Sequence, residues 1–145
     1  MSLREKVERL QAALDGVPQV NCPVRWFFAP GIAAREITIP AGTVLVGAIH
    51  RTENLAVLSK GRMLLATESG PVEIAAPHTL TVKPGDKNSA TAIDECVWTN
   101  FLSNPTNETD ESRLVEIFTE SKAADLIGGS ANKQLAANRV LEMEA

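Results

Sequence analysis

Residues 40–61 read PAGTVLVGAIHRTENLAVLSKG, and the order of residue types in this stretch decides the fold class. Two apolar, β-branched runs, 43–50 and 55–58, are separated by a short polar segment. Pro40-Ala41-Gly42 and Lys60-Gly61 bracket them, and proline and glycine are the residues that turn a chain. Short runs bounded by turn residues read as strands. A connection of a few residues cannot hold a crossover helix, so the strands are expected to run antiparallel.

The pattern continues on both sides. Further strands are predicted over 35–39, 62–67, 72–75, 79–83, 96–102 and 113–119, with Ser69-Gly70-Pro71 and Pro84-Gly85-Asp86 as turns. Such a series indicates an all-β antiparallel sandwich or small barrel. Upstream, Ser2 and Glu5 form a capping box ahead of a helix whose Leu3, Val7, Leu10 and Leu14 make one apolar stripe. Asp15-Gly16 is its stop signal. So short a helix does not hold itself in water, so the stripe must dock on the domain or on a second copy. Downstream of a polar loop at 104–110, short helices are expected over 121–127 and after Ser130, with Leu135, Val140 and Leu141 as sparse apolar residues. The expected division is an N-terminal helix and linker over 1–20, a β domain over 21–119 and a helical C-terminal tail over 120–145.

Composition narrows the function classes. The chain has 145 residues, 44% hydrophobic and 22% charged, which suits one packed domain. Lys and Arg total 14 against 18 Asp and Glu, a net charge of −4, which argues against bulk nucleic-acid binding. No apolar run reaches the roughly 20 residues of a membrane span, and no signal peptide is read at the start. Cys22 and Cys96 stand far apart and are expected as reduced thiols. There is no Gly-x-Ser-x-Gly elbow and no phosphate-cradling loop. With 2 histidines there is little room for a Ser-His-Asp set.

The same 40–61 stretch resembles the first motif of the cupin superfamily, G-x5-H-x-H-x3/4-E-x6-G. Gly42 and Gly61 match its ends, and the histidine, histidine and glutamate positions hold Ala48, His50 and Asn54. Pro84-Gly85-Asp86-Lys87-Asn88 resembles the proline-glycine turn of the second motif, with Asn88 at its histidine position. The resemblance implies an all-β cupin-like jelly-roll barrel. It also implies a metal site whose ligands are largely gone, because amide oxygens are poor ligands for transition metals. No metal and no cofactor is therefore expected; were a metal bound, His50 and Glu53 would be its ligands. A barrel mouth without a metal still suits a small molecule. The expected binding residues are His50, Asn54 and Asn88, with Arg35 and Arg62 for negative charge and Trp98 for stacking. For His50 and Trp98 a plain packing role is the alternative reading.

Residues 22–50 also resemble small single-domain cupin-like proteins of tailed bacteriophages and prophages, through Cys22-Pro23-Val24, Phe28-Ala29-Pro30-Gly31, Arg35-Glu36-Ile37 and Pro40-Ala41-Gly42-Thr43. This implies a protein of the bacterial host's cytoplasm, or alternatively of the virion. The reading is a binding protein without catalysis that captures a small polar, anionic or nucleotide-like metabolite, as a counter-defence protein does. The alternatives are a virion decoration protein and a metal-dependent cupin enzyme. A homo-oligomer is expected, because the terminal amphipaths need a partner surface.

Overall fold

The computed structural model describes residues 1–15, 18–120 and 136–138. A helix, α1 (Leu3–Asp15), is followed by nine strands: β1 (Val24–Ala29), β2 (Gly31–Ile39), β3 (Thr43–Val46), β4 (Asn54–Lys60), β5 (Arg62–Thr67), β6 (Gly70–Ala75), β7 (His78–Val82), β8 (Ser89–Ala92) and β9 (Cys96–Asn104). A second helix, α2 (Glu111–Phe118), and a last strand, β10 (Ala136–Asn138), complete the described chain.

Two five-stranded sheets form, one ordered β1-β2-β9-β4-β7 and the other β10-β3-β8-β5-β6. Every described strand pairing is antiparallel. Strands β2 to β9 alternate between the sheets in pairs that make a jelly roll of two packed layers. The expected closed all-β barrel is not what forms. Among the described residues no strand is bonded into both sheets, so β1, β7, β10 and β6 remain edges. The sheets meet only through side chains, and with the two helices the fold is of mixed α/β content.

The second correction concerns 113–119, expected as a strand. The chain there is α2. Asp110 caps it by accepting from the Arg113 backbone N–H at 3.1 Å. Leu114, Val115 and Phe118 fall on one helical face and are buried, while Ile117 stays exposed. Leu114 and Phe118 pack against Ala33 of β2 and Leu102 of β9, and Val115 packs against Ala48. The β-branched content of this run is therefore outweighed by a cap and a sheet surface to dock on. Of the tail expected to be helical, 121–135 and 139–145 lie outside the described residues, and Ala136–Asn138 pairs with β3 as a strand. Strands β1 and β8 add to those expected.

The capping box at α1 is made: Glu5 N donates to Ser2 Oγ at 3.1 Å and Ser2 N donates to Glu5 Oε2 at 3.2 Å. The apolar stripe docks on its own domain. Val7 and Leu14 pack with Val44 and Val46 of β3, flanked by Leu3 and Leu10. That removes one reason for expecting a second copy of the chain. The main core joins Cys22, Ile37, Ile39, Leu58, Met63, Ile74, Ala92 and Cys96 from both sheets.

Candidate functional site

Beyond that core the sheets part to leave a cavity of about 320 Å³. Ile37, Ile39 and Met63 belong to both, so the core forms one wall of the cavity. Strand alternation determines which side chains enter. Residues of β9 face inward at 98, 100 and 102, and their cross-strand partners on β2 are Ile37, Arg35 and Ala33. Trp26 of β1 stands opposite Arg35. Trp26, Arg35 and Asn100 therefore lie side by side in one row of the inner face. Leu114, Val115 and Phe118 of α2 add apolar surface. Thr81, Asp86 and Asn88 line the cavity while remaining exposed, which places its mouth near the turn before β8.

The turn and the end of the His50 segment are bound together. Gly85 N donates to His50 O at 3.0 Å, and Gly47 N donates to Asn88 O at 2.9 Å. His50 also bridges to Thr119 just beyond α2. Its ring meets a chain of side-chain hydrogen bonds. Trp98 Nε1–H donates to Asn100 Oδ1 at 3.0 Å, Asn100 Nδ2 donates to Asn54 Oδ1 at 2.9 Å, and Asn54 Nδ2 reaches His50 Nδ1 at 3.1 Å. Asn54 and Asn100 are 6% and 8% exposed. Their amides are satisfied by one another inside the sandwich, as buried polar groups require.

The charges follow from burial. Burial pulls the Arg35 guanidinium down to about 10, against the upward pull of Glu111 and then Cys22, so it remains cationic at neutral pH. The residue keeps intermediate accessibility; because it lines the cavity, that surface opens inward. Burial, and then the nearby Arg35 cation, lower His50 below its ordinary 6.5, so its ring is neutral at pH 7. Trp26 Nε1–H is buried without a hydrogen-bond partner. The polar groups on this side of the cavity are thus mainly donors. Burial raises the Cys22 thiol to about 11 despite Arg35, and burial, then Asp94 and Glu95, raise Cys96 to about 11. Neither is a thiolate nucleophile at neutral pH.

The structure brings Arg35, His50 and Trp98 together in the cavity wall, with Asn54 directly behind His50 and Asn88 at the mouth. Two expected residues lie elsewhere. Arg62 is bound to Asp94 on the surface at 2.8 and 3.1 Å, and neither it nor the exposed Glu53 lines the cavity. Asn100 and the unpaired Trp26 nitrogen are additions. Asn100 carries a legible signal, since it shares the alternating face of 96, 98 and 102.

The residues do not fit a cupin-type metal. Position 48 offers a methyl group, the Asn54 amide is engaged at both ends, and His50 Nδ1 is already bonded. Among the described residues no group of three His, Cys, Asp or Glu side chains is placed to hold a metal ion. Nor is any described helix long and apolar enough to cross a membrane.

No protein-family model and no curated protein matches the chain. Solved structures do. An HTH_3 family transcriptional regulator from Vibrio cholerae is similar at 15% identity over 60% of this chain and 53% of its own, with a TM-score of 0.49. This chain therefore spans about half the length of that regulator. An RmlC-like cupin from Shewanella frigidimarina is similar at 18% identity over 61% of this chain and 79% of its own, TM-score 0.49. A cupin-2 domain containing protein from the same organism is similar at 12% identity over 71% of this chain and 100% of its own, TM-score 0.48. With scores at this level the jelly-roll assignment rests on the strand order itself.

Proposed function

We propose that this protein binds a small anionic molecule in the cavity between its sheets, without performing chemistry on it. The observation that carries the reading is a cation, Arg35, lining a largely apolar cavity that is also lined by its cross-strand neighbour Trp26, whose buried indole N–H has no hydrogen-bond partner. A volume of about 320 Å³ lies at the lower end of ligand pockets, which run from roughly 300 to 1,000 Å³. It favours a single compact carboxylate over a dinucleotide. Arginine is the side chain suited to a planar carboxylate, since its fork matches both oxygens. Asn88 and Asp86 at the mouth bias which polar end of the ligand points outward. We place the protein in the cytoplasm of a phage-infected bacterial host, where it sequesters a metabolite. That setting is supported only by the resemblance of residues 22–50.

The test compares benzoate, a flat apolar body with one carboxylate, with benzamide, its neutral counterpart, by calorimetric titration. Benzoate is expected to bind at least tenfold more tightly, and Arg35→Met to abolish the difference. Equal binding of the two, or no binding of either, overturns the reading. One observation favours the virion role as a second reading. Phe27, Phe101 and Leu55 are exposed and in register across β1, β9 and β4, on the outer face of the first sheet. Co-sedimentation with phage particles tests it.

A further inference from the structure

The hydrogen bonds behind His50 determine what that ring can offer a ligand. An indole nitrogen can only donate. Trp98 therefore holds Asn100 with its oxygen toward the indole and its amide nitrogen toward Asn54. Asn54 is then held in turn. Its oxygen accepts from Asn100, and its nitrogen donates both to His50 Nδ1 at 3.1 Å and to Thr52 O at 3.2 Å. An amide N–H cannot accept a hydrogen bond, so His50 Nδ1 carries no proton. In a neutral imidazole the proton then sits on Nε2. Among the described residues Nε2 has no partner, and the ring lines the cavity.

We propose that Trp98, Asn100 and Asn54 are positioning residues that lock His50 as an Nε2–H donor, so that the cavity selects a ligand carrying a hydrogen-bond acceptor at that point. The ligand half of this proposal rests on the anion-binding reading above; the proton's location does not. The ligand class is a carboxylate with one oxygen toward Arg35 and an acceptor, the second oxygen or a neighbouring carbonyl, toward His50. A ligand group that must donate to His50 is rejected, because donor would meet donor.

The ring's nitrogens are read by 15N NMR on ligand-free protein at neutral pH. The chain has 2 histidines, so His78→Gln leaves one set of signals. Protonated Nε2 with bare Nδ1 is expected; a protonated Nδ1 overturns the proposal. Adding Asn54→Asp replaces the donating amide by an accepting carboxylate, and Nδ1 should gain a proton. If that variant folds with unchanged ring signals, the chain does not set the proton and the proposal falls. If it does not fold, the parent spectrum still decides. Benzoate binding then separates the two readings. His50→Gln, which keeps a donor, should bind within about threefold of the parent, and His50→Leu about tenfold more weakly. Equal weakening in both overturns the donor role. A parent with protonated Nε2 that binds no benzoate overturns the cavity reading and the ligand half of this proposal, while the positioning chain stands.

Discussion

Arg35→Met should make the ligand-free protein more stable. Moving a guanidinium from its ordinary range down to about 10 corresponds to roughly 3 kcal/mol held against the charged form, at about 1.4 kcal/mol per pKa unit. Because the folded value of this base is depressed, that cost is present throughout neutral pH. It vanishes only above the unfolded value, so substitution exposes it and titration does not. Methionine keeps an unbranched stem and adapts to irregular apolar space. That cost is already net of the attraction to Glu111 and Cys22; the other polar contact the guanidinium gives up takes back part of the gain. The expected net is about 1–2 kcal/mol, in line with buried charges replaced by apolar side chains. For a chain of this length that is a rise in Tm of very roughly 3–8 °C. The assay is urea and thermal unfolding with and without benzoate. At ten times the parent's Kd, benzoate stabilises the parent by about 1.4 kcal/mol through linkage and the variant, which binds at least tenfold more weakly, by no more than about 0.4 kcal/mol, so the gap between them narrows. A ligand-free variant less stable than its parent by more than about 1 kcal/mol would refute the reasoning, since Arg35 would then be a structural strut.

Gly61→Ala should cost about 3 kcal/mol or more in urea unfolding. Gly61 has φ +85°, and an added Cβ would collide with the Glu95 carbonyl oxygen and lie 2.9 Å from Cys96 Sγ; a loss under about 1 kcal/mol contradicts this. Stability should fall as pH drops below the ordinary His value of 6.5, because the unfolded chain then takes a proton that burial and Arg35 deny to His50. His50→Gln should flatten that slope, and an unchanged slope assigns it to other groups. In a double-mutant cycle Asn54→Ala and Asn100→Ala should couple by about 0.5–3 kcal/mol, since each leaves the other's amide unpaired; additive losses would show that the amides do not act as a chain.

Much of the sheet architecture is legible along the chain because a strand's signal is local. Short apolar, β-branched runs and bounding turn residues marked β2, β3, β4, β5, β6, β7 and β9. The signal failed at β1, at β8, where Ser89-Ala90-Thr91-Ala92 is too small and polar to stand out, and at α2, where Leu114, Val115, Ile117 and Phe118 satisfy either period. A cap at Asp110 and a receiving surface at Ala33 and Leu102 decide between them, and only the cap is near in sequence. The site divides in the same way. His50 and Asn54 are close enough along the chain to be read as a pair. Arg35, Trp98 and Asn100 meet them only because β9 lies between β2 and β4.

What the amino-acid order determined by itself is the α1 cap and stripe, the antiparallel strands, and the absence of a full set of metal-binding residues in the motif. These are properties of residue type and spacing. What tertiary structure alone decided is that the sheets stay open, that α1 is covered by its own β3, that Arg62 is spent on Asp94, and that an indole more than forty residues away sets the proton on His50. Pairing across strands joins residues remote in sequence, and the direction of a hydrogen bond passes from one side chain to the next only after folding has placed them in contact.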